Sequence, residues 1–184
     1  MRRFVIGLGV LIASLLGAGS ALGTSTPAWT TYAHDGARSG IDPDSTSPVT
    51  PTQVWETASG VLDGDVYAQP LVYGDRVYVA TENDTIYALD AATGAVVWTK
   101  HLATAVSSSQ LPCGDINPEL GITSTPVIDP STGTIYAVAD TWDGSHQSSI
   151  EHELFALAVG SGAIRPGFPI KVDPPYPPSG DARH

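Results

Sequence analysis

Five side chains that can bind a metal ion lie close together in residues 143–153. They are Asp143, His146, Glu151, His152 and Glu153. Carboxylate oxygens are typical ligands of calcium, and imidazole nitrogens are typical ligands of zinc. The spacing matches no standard loop for either metal, and both histidines stand among Ser, Gln and Glu. The pattern therefore favours a solvated connection, with Asp143 and Glu151 kept as candidate metal ligands.

A second polar segment follows the only cysteine, Cys113. One thiol cannot form a disulfide within the chain, so Cys113 is predicted either as a small buried residue or as an unpaired thiol. Asp115, Asn117 and Glu119 come shortly after it. Short acidic and amide side chains commonly bond the backbone of turns and caps, and we expect that role here.

The third group with chemical potential is His34, Asp35 and Arg38. An adjacent His and Asp could perform acid–base chemistry, but such catalysis depends on reach in space rather than on adjacency in sequence. We expect these residues to hold the segment around them to the first sheet, with Arg38 paired to a carboxylate.

The elements that must position these side chains are strands. Short runs rich in Val, Ile, Tyr and Thr alternate with turn residues, which predicts an all-β protein. In the most regular region, four strands are predicted at residues 68–73, 77–80, 86–89 and 96–98. Asn83-Asp84 formally begins a glycosylation sequon, but it stands where a hairpin turn is expected. Four antiparallel strands joined by tight turns make one sheet.

This four-stranded unit recurs. The matching segments are 69–72 with 125–128, 77–79 with 135–137, and 86–89 with 154–157. Upstream, Val54-Trp55-Glu56 matches Val97-Trp98-Thr99 at a step of 43 residues. Repeats of about 40–45 residues with four strands each are typical of β-propeller blades.

The segment ALDAATGAVVW, residues 88–98, resembles the tryptophan-docking repeat of pyrroloquinoline-quinone (PQQ) β-propeller proteins. Its pattern, Ala-x-Asp-x-x-Thr-Gly-x-x-x-Trp, is filled by Ala88, Asp90, Thr93, Gly94 and Trp98. Asp90 and Thr93 can bond the backbone of a tight turn, and Gly94 can supply a positive φ. The large ring of Trp98 is expected to pack between adjacent blades. Residues 29–40 and 113–129 also resemble segments of this family.

The second copy departs from the repeat pattern. Ala158, Ser161 and Pro166 replace the Asp, Thr and Trp, and a proline-rich connector and tail follow. A closed ring of seven or eight blades needs about 280–360 residues. We therefore predict an incomplete β-propeller of about two four-stranded antiparallel blades, plus an N-terminal outer strand at residues 53–57. The chain is interpreted as the front of a longer protein.

The resemblance also implies where chemistry would lie. In PQQ dehydrogenases, a loop after the second strand of one blade supplies a Glu ligand to calcium beside the quinone, so Asp143 or Glu151 would be the counterpart. Many family enzymes have two adjacent cysteines where this chain has Cys113 and Gly114. No catalytic residue is assigned, because the family's catalytic Asp lies in a later blade. PQQ and calcium are cofactors only in the full-length family context.

The first 23 residues have the pattern of a signal peptide. Arg2 and Arg3 precede an apolar stretch, and Ala21 and Gly23 form a small-residue cleavage site before Thr24. The alternative is a membrane anchor, which the glycines within the stretch weaken. We expect a secreted or extracytoplasmic protein with no stable membrane span after cleavage.

The charge balance excludes one class of partner. Nineteen acidic residues against eight Lys and Arg give a net charge of −11. Nucleic-acid binding requires basic side chains to neutralise phosphates, so it is not expected. A protein or a small-molecule ligand remains possible, as does association with missing blades or with further copies of the chain.

These patterns predict the following organisation: a signal peptide at 1–23, an extended leader at 24–52, PQQ-like blades within 53–173 (about 68–100 and 122–172), and a Pro-rich tail at 174–184. The function favoured is that of an exported, non-catalytic segment acting as a binding or assembly surface. The alternatives are a fragment of a PQQ- and calcium-dependent dehydrogenase and a truncated product without independent function.

Overall fold

The computed structural model describes residues 28–43, 50, 52–112 and 115–172. The predicted signal peptide with its cleavage site lies outside the described residues. So do part of the leader, Cys113, Gly114 and the predicted tail.

The first sheet contains five antiparallel strands in sequential order. They are β1 (Ala28–Trp29), β2 (Leu71–Tyr73), β3 (Arg76–Ala80), β4 (Thr85–Asp90) and β5 (Val96–His101). The last four coincide with the four strands expected from the sequence. β4 is buried along almost its whole length, because Ile86 and Ala88 belong to the main apolar core on one face, and Tyr87 and Leu89 belong to a smaller apolar cluster on the other.

The connection to the second sheet contains a small two-stranded ribbon. Its strands are β6 (Val106–Ser107) and β7 (Glu119–Leu120), with a single 3₁₀ turn at Ser108–Gln110. A second 3₁₀ turn lies at Gln147–Ser149. In the described ranges, no helix has the length and apolar character needed to cross a membrane.

The second sheet has four antiparallel strands. They are β8 (Val127–Asp129), β9 (Thr134–Thr141), β10 (Glu151–Ala158) and β11 (Ile170–Lys171), arranged so that β10 lies between β9 and β11. Both sheets therefore follow the predicted all-β, blade-like order.

Two segments differ from the sequence-based expectation. The predicted insertion at 140–153 contributes both of its ends to strands, so the loop itself is confined to 142–150. The predicted connector also carries a strand, because Ile170 and Lys171 pair with Leu154 and Glu153. Proline at Pro169 lacks a backbone donor, but it precedes the short edge strand and so removes no ladder bond.

The sequence predicts an N-terminal outer strand at residues 53–57, but the N-terminal strand of the structure is Ala28–Trp29. Residues 52–58 form no strand. Trp29 in β1 pairs with Val72 in β2, so β1 forms one edge of the first sheet. The carbonyl of Thr30 also accepts a hydrogen bond from Ile128 N at 2.8 Å. The leader is thus bonded to both sheets.

One apolar core joins the two sheets. Leu71, Ile86 and Tyr78 from the first sheet are in one buried cluster with Ile135 and Leu157 from the second. The other face of the first sheet has a smaller cluster, which is covered by Trp55 and Leu62. Because the larger cluster draws on both sheets, neither can be separated without exposing apolar surface to water.

Candidate functional site

Three connections that carry polar side chains meet at one end of the two sheets. In consecutive antiparallel strands, alternate turns lie at the same end. The β3–β4 turn, the connection between the sheets and the β9–β10 loop therefore share an end, which we call the loop end. Backbone bonds join them: Leu102 N donates to Asp84 O, Asp140 N to Gly121 O, and Trp142 N to Thr104 O.

The β3–β4 turn, residues 81–84, is more buried than hairpin turns usually are. Asp84 has a φ of 52°, a left-handed conformation that Asp and Asn tolerate better than most residues. On one side of the turn, the carboxylate of Asp63 accepts hydrogen bonds from Thr81, Asn83 and Thr85. Burial opposes ionisation of Asp63, but these hydrogen bonds hold its pKa below the ordinary value.

Glu82 ties this turn to the start of the second sheet. Its side chain is almost fully buried, and Oε2 accepts hydrogen bonds from Gly121 N at 2.8 Å and Thr123 Oγ1 at 3.0 Å. Burial raises the pKa of Glu82, an effect that the two hydrogen bonds partly offset. The carboxylate is therefore a direct link between the sheets.

Asp84 is the most unusual group at the loop end. It is 0% exposed, and neither carboxylate oxygen has a hydrogen-bond partner within the chain. Burial raises its pKa to about 8, and the nearby charges of Asp140, Glu82 and Glu153 add to the shift. At neutral pH the group is consequently protonated unless a cation compensates its charge.

Gly121 packs against both of these carboxyl-bearing residues. A Cβ atom at this position would lie 2.3 Å from the carbonyl oxygen of Glu82 and 2.5 Å from Oδ1 of Asp84. The close approach of the two sheets therefore requires a residue without a side chain here.

The contact at Gly121 should be sensitive to the addition of a single methyl group. Gly121→Ala should lower the free energy of unfolding by about 1–3 kcal/mol, because the methyl group meets backbone that cannot move without separating the sheets. Urea denaturation measures the change. Gly160→Ala is the matched control, since a Cβ there would have no atom within 4 Å. Equal effects of the two substitutions would contradict the proposed role of the contact.

A cleft of about 300 Å³ lies at the loop end. It is lined by Ala103, Thr141, Trp142, Asp143, Ser149, Glu151 and Glu153. Hydrogen bonds from Ser145 and Ser149 lower the pKa of Asp143 to about 2, so this exposed carboxylate is ionised at neutral pH. Glu151 forms an ion pair with Lys171 at 2.7 Å. The cleft thus combines an aromatic ring with negative charge.

The turns at the opposite end of the sheets receive tryptophan rings. Asp90 Oδ1 accepts hydrogen bonds from the backbone and hydroxyl of Thr93, and Gly94 follows with a φ of 72°. Trp55 lies on this turn: its Nε1 donates to Ala91 O at 2.8 Å. A Cβ on Gly94 would be only 2.6 Å from the Trp55 ring.

The same arrangement repeats one sheet further along the chain. Trp98 Nε1 donates to Val159 O at 3.0 Å, and a Cβ on Gly162 would lie 2.7 Å from the Trp98 ring. Trp98 also packs against Tyr78, with ring centroids 5.9 Å apart. Each ring therefore covers the glycine turn of the following sheet.

A family model described as "Outer membrane protein assembly factor BamB", of the PQQ-repeat type, matches residues 45–146, more than half of the chain. The chain belongs to the PQQ-repeat β-propeller family. Among solved structures, BamB from Moraxella catarrhalis is similar at 23% identity, with a TM-score of 0.28. That match covers 50% of this chain and only 20% of the other. No curated protein matches the chain.

The candidate metal ligands of this PQQ-repeat chain have partners within the protein. Asp143 accepts hydrogen bonds from Ser145 and Ser149, and Glu151 is bonded to Lys171. His152 contacts Asp140. Across the described ranges, no three His, Cys, Asp or Glu side chains are grouped so that they could hold a metal ion.

The other predicted polar residues are dispersed. Asp115 and Asn117 are exposed, while Glu119 lies in β7 rather than in a cap. The ring of His34 packs edge-on against Trp29, with centroids 5.0 Å apart. The guanidinium carbon of Arg38 lies 5.3 Å from the centre of the Tyr32 ring. The contact found for this arginine is aromatic, in place of the expected carboxylate.

Residue Asp35 makes only local contacts. Its carboxylate accepts hydrogen bonds from the backbone and hydroxyl of Ser39, which lower its pKa. These bonds close the turn that follows β1, so Asp35 acts on the backbone around it.

Sequence reasoning missed the buried carboxyl groups of Glu82 and Asp84. The prediction treated Asn83-Asp84 only as a hairpin turn, where polar side chains are ordinarily exposed. Burial arises from Gly121, which is distant in sequence. No local pattern marks that contact, although a glycine at the start of the second repeat is compatible with a close approach.

Proposed function

We propose that this chain is a non-catalytic segment of an exported PQQ-repeat protein and serves as a binding or assembly surface. The chain spans only a fifth of the similar BamB structure. Support for an assembly role comes from the matched family, which is described as that of an outer membrane protein assembly factor.

The observation that carries the proposal is the cleft at the loop end. A concave surface with an aromatic residue and several polar groups is a typical binding site. Here the lining carries Trp142 and the carboxylates of Asp143, Glu151 and Glu153. Trp142 and Asp143 come from the β9–β10 loop, whereas Glu151 and Glu153 lie at the start of β10, so the second sheet positions all four side chains.

The charge of the cleft indicates the chemistry of the partner. Three carboxylates line it, and the chain as a whole has a net charge of −11. Opposite charge raises the rate of association and selects among partners. Lys or Arg side chains can also stack on an indole ring such as that of Trp142. The partner proposed is a basic segment of another protein.

A fluorescently labelled peptide rich in Lys and Arg tests this function by polarisation. We expect the double substitution Asp143→Asn with Glu151→Gln to weaken binding by about tenfold, because two charges near the cleft are removed. The matched control is Asp75→Asn with Glu56→Gln, which removes two exposed charges at the other end of the sheets. Raising the salt concentration should weaken binding to the unsubstituted chain.

Equal weakening by both double variants would mean that net charge alone attracts the peptide, and the cleft assignment would fail. The alternative, a dehydrogenase fragment, predicts a different result. On that hypothesis, adding PQQ and calcium to the chain would produce stoichiometric quinone binding and reduction of an acceptor dye by an alcohol or a sugar.

A further inference from the structure

Three buried carboxyl oxygens at the junction of the two sheets have no hydrogen-bond partner within the chain. They are Oδ1 and Oδ2 of Asp84 and Oε1 of Glu82. Asp84 is 0% exposed and Glu82 is 2% exposed. Leaving such groups unsatisfied is costly, and in native proteins they usually mark an ion, a water molecule or a functional constraint.

The two carboxyl groups converge on Gly121. The backbone N–H of Gly121 donates to Glu82 Oε2, and a Cβ on Gly121 would lie 2.5 Å from Asp84 Oδ1. Oε1 of Glu82 remains open, since both hydrogen bonds to this carboxylate go to Oε2. The unpartnered oxygens thus belong to neighbouring residues at one point of the sheet junction.

The surroundings concentrate negative charge on this point. Asp140, Glu153 and Glu119 all act on Asp84 in the same direction as Glu82. In this part of the second sheet, Lys171 forms an ion pair with Glu151, and His152 contacts Asp140. Negative charge around this point lowers the free energy of a bound cation and raises the free energy of an ionised carboxylate.

We propose that Asp84 and Glu82 together hold one hydrated divalent cation, Mg²⁺ or Ca²⁺, at the junction of the two sheets. Both ions are hard cations that prefer oxygen ligands, and Mg²⁺ commonly binds through one or two carboxylates while keeping several water molecules. Two protein ligands are consistent with the lack of any three-residue metal cluster among the described residues.

Ion binding at this site would stabilise the contact between the two sheets and would not involve the partner cleft. Glu82 already binds Gly121 and Thr123 at the start of the second sheet, so an ion on its free oxygen would strengthen the contact between the sheets. The inference is independent of the proposed partner, because neither Asp84 nor Glu82 lines the cleft.

The test uses the full chain after removal of metals with EDTA. Equilibrium dialysis against Mg²⁺ and against Ca²⁺ should show saturable binding of one ion per chain. At about 100 times the dissociation constant, the thermal unfolding midpoint should rise by at least about 5 °C. Binding near pH 7 should also release protons, because the ion displaces the proton of Asp84.

Asp84→Asn should abolish the binding, the midpoint shift and the proton release, whereas Asp75→Asn, which removes an exposed charge at the other end of the sheets, should leave all three unchanged. Asn tolerates the left-handed backbone of this position, so the variant is expected to fold. Glu82→Gln provides a second variant that should weaken binding. Absence of saturable binding below about 10 mM, or binding that persists in both Asp84→Asn and Glu82→Gln, would overturn the site.

Discussion

Replacing Asp84 with Asn should raise the free energy of unfolding at pH 8 by on the order of 5 kcal/mol when divalent cations are absent. The carboxyl group is fully buried, has no hydrogen-bond partner, and titrates at about 8 in the folded chain. Asn has nearly the same shape and carries no charge, so it removes the cost of ionisation without opening a cavity.

The effect should depend on pH in one direction. In the unfolded chain the carboxyl group of Asp84 loses its proton near pH 4, whereas in the folded chain it keeps the proton up to about pH 8. Folding therefore takes up a proton between these values, and stability falls as the pH rises through this range. The variant and the unsubstituted chain should be about equally stable near pH 4 and should diverge above it.

Urea denaturation at several pH values between 4 and 8, in the presence of EDTA, measures this difference. Some slope should remain in the variant, because burial also raises the pKa of Glu82. Asp143→Asn is the control for loss of one negative charge, since Asp143 is exposed and has a lowered pKa. Parallel stability curves for Asp84→Asn and the unsubstituted chain would show that Asp84 does not titrate as a buried acid.

Trp98→Ala should lower the free energy of unfolding by about 3 kcal/mol, the lower end of the range for truncation of buried aromatic side chains, because the ring is partly buried. The indole ring covers the Gly162 turn, contacts Tyr78 and donates a hydrogen bond to Val159 O. Its removal leaves a cavity between the sheets and takes away one of the two side-chain hydrogen bonds to Val159 O, the other being donated by the Tyr78 hydroxyl. Thermal or urea unfolding measures the loss of stability. It is followed by far-UV circular dichroism, which reports on the backbone and not on tryptophan fluorescence.

Two glycines distinguish the effect of packing against Trp98 from the effect of backbone strain. Gly162 and Gly133 both have positive φ values, of 68° and 59°. A Cβ at Gly162 would collide with Trp98, but a Cβ at Gly133 would have no atom within 4 Å. Gly162→Ala should therefore be the more destabilising of the two. A loss for Trp98→Ala of less than about 1 kcal/mol would show that the ring is not part of the contact between the sheets.

Much of the first sheet could be predicted from residues that are close in sequence. Alternating Val, Tyr and Ile residues, and turns built from Gly74-Asp75 and Asn83-Asp84, give the strand order directly. The periodicity of two and the turn chemistry are local properties, which explains why they can be recognised without the fold.

The elements that the sequence did not predict depend on partners elsewhere. Residues 53–57 have a strand-like composition but pair with no strand, and the ring of Trp55 holds this segment on the Gly94 turn instead. Conversely, Ile170–Lys171 follows a proline-rich stretch but completes the second sheet because β10 has a free edge there. Strand formation at an edge is decided by available hydrogen-bond partners as much as by composition.

The sequence by itself determined the all-β class, the repeated four-stranded unit and the motif that places Trp98 near a glycine turn. Only the tertiary structure decided which polar side chains became chemically unusual. Asp143 and Glu151 looked like candidate ligands, yet they are bonded to neighbours at the surface, while Asp84 looked like an ordinary turn residue and is buried. The reason is that a carboxyl group's pKa depends on the water it loses and the charges it meets. Both are set by Gly121 and Asp140, which the fold brings to Asp84 from distant parts of the chain.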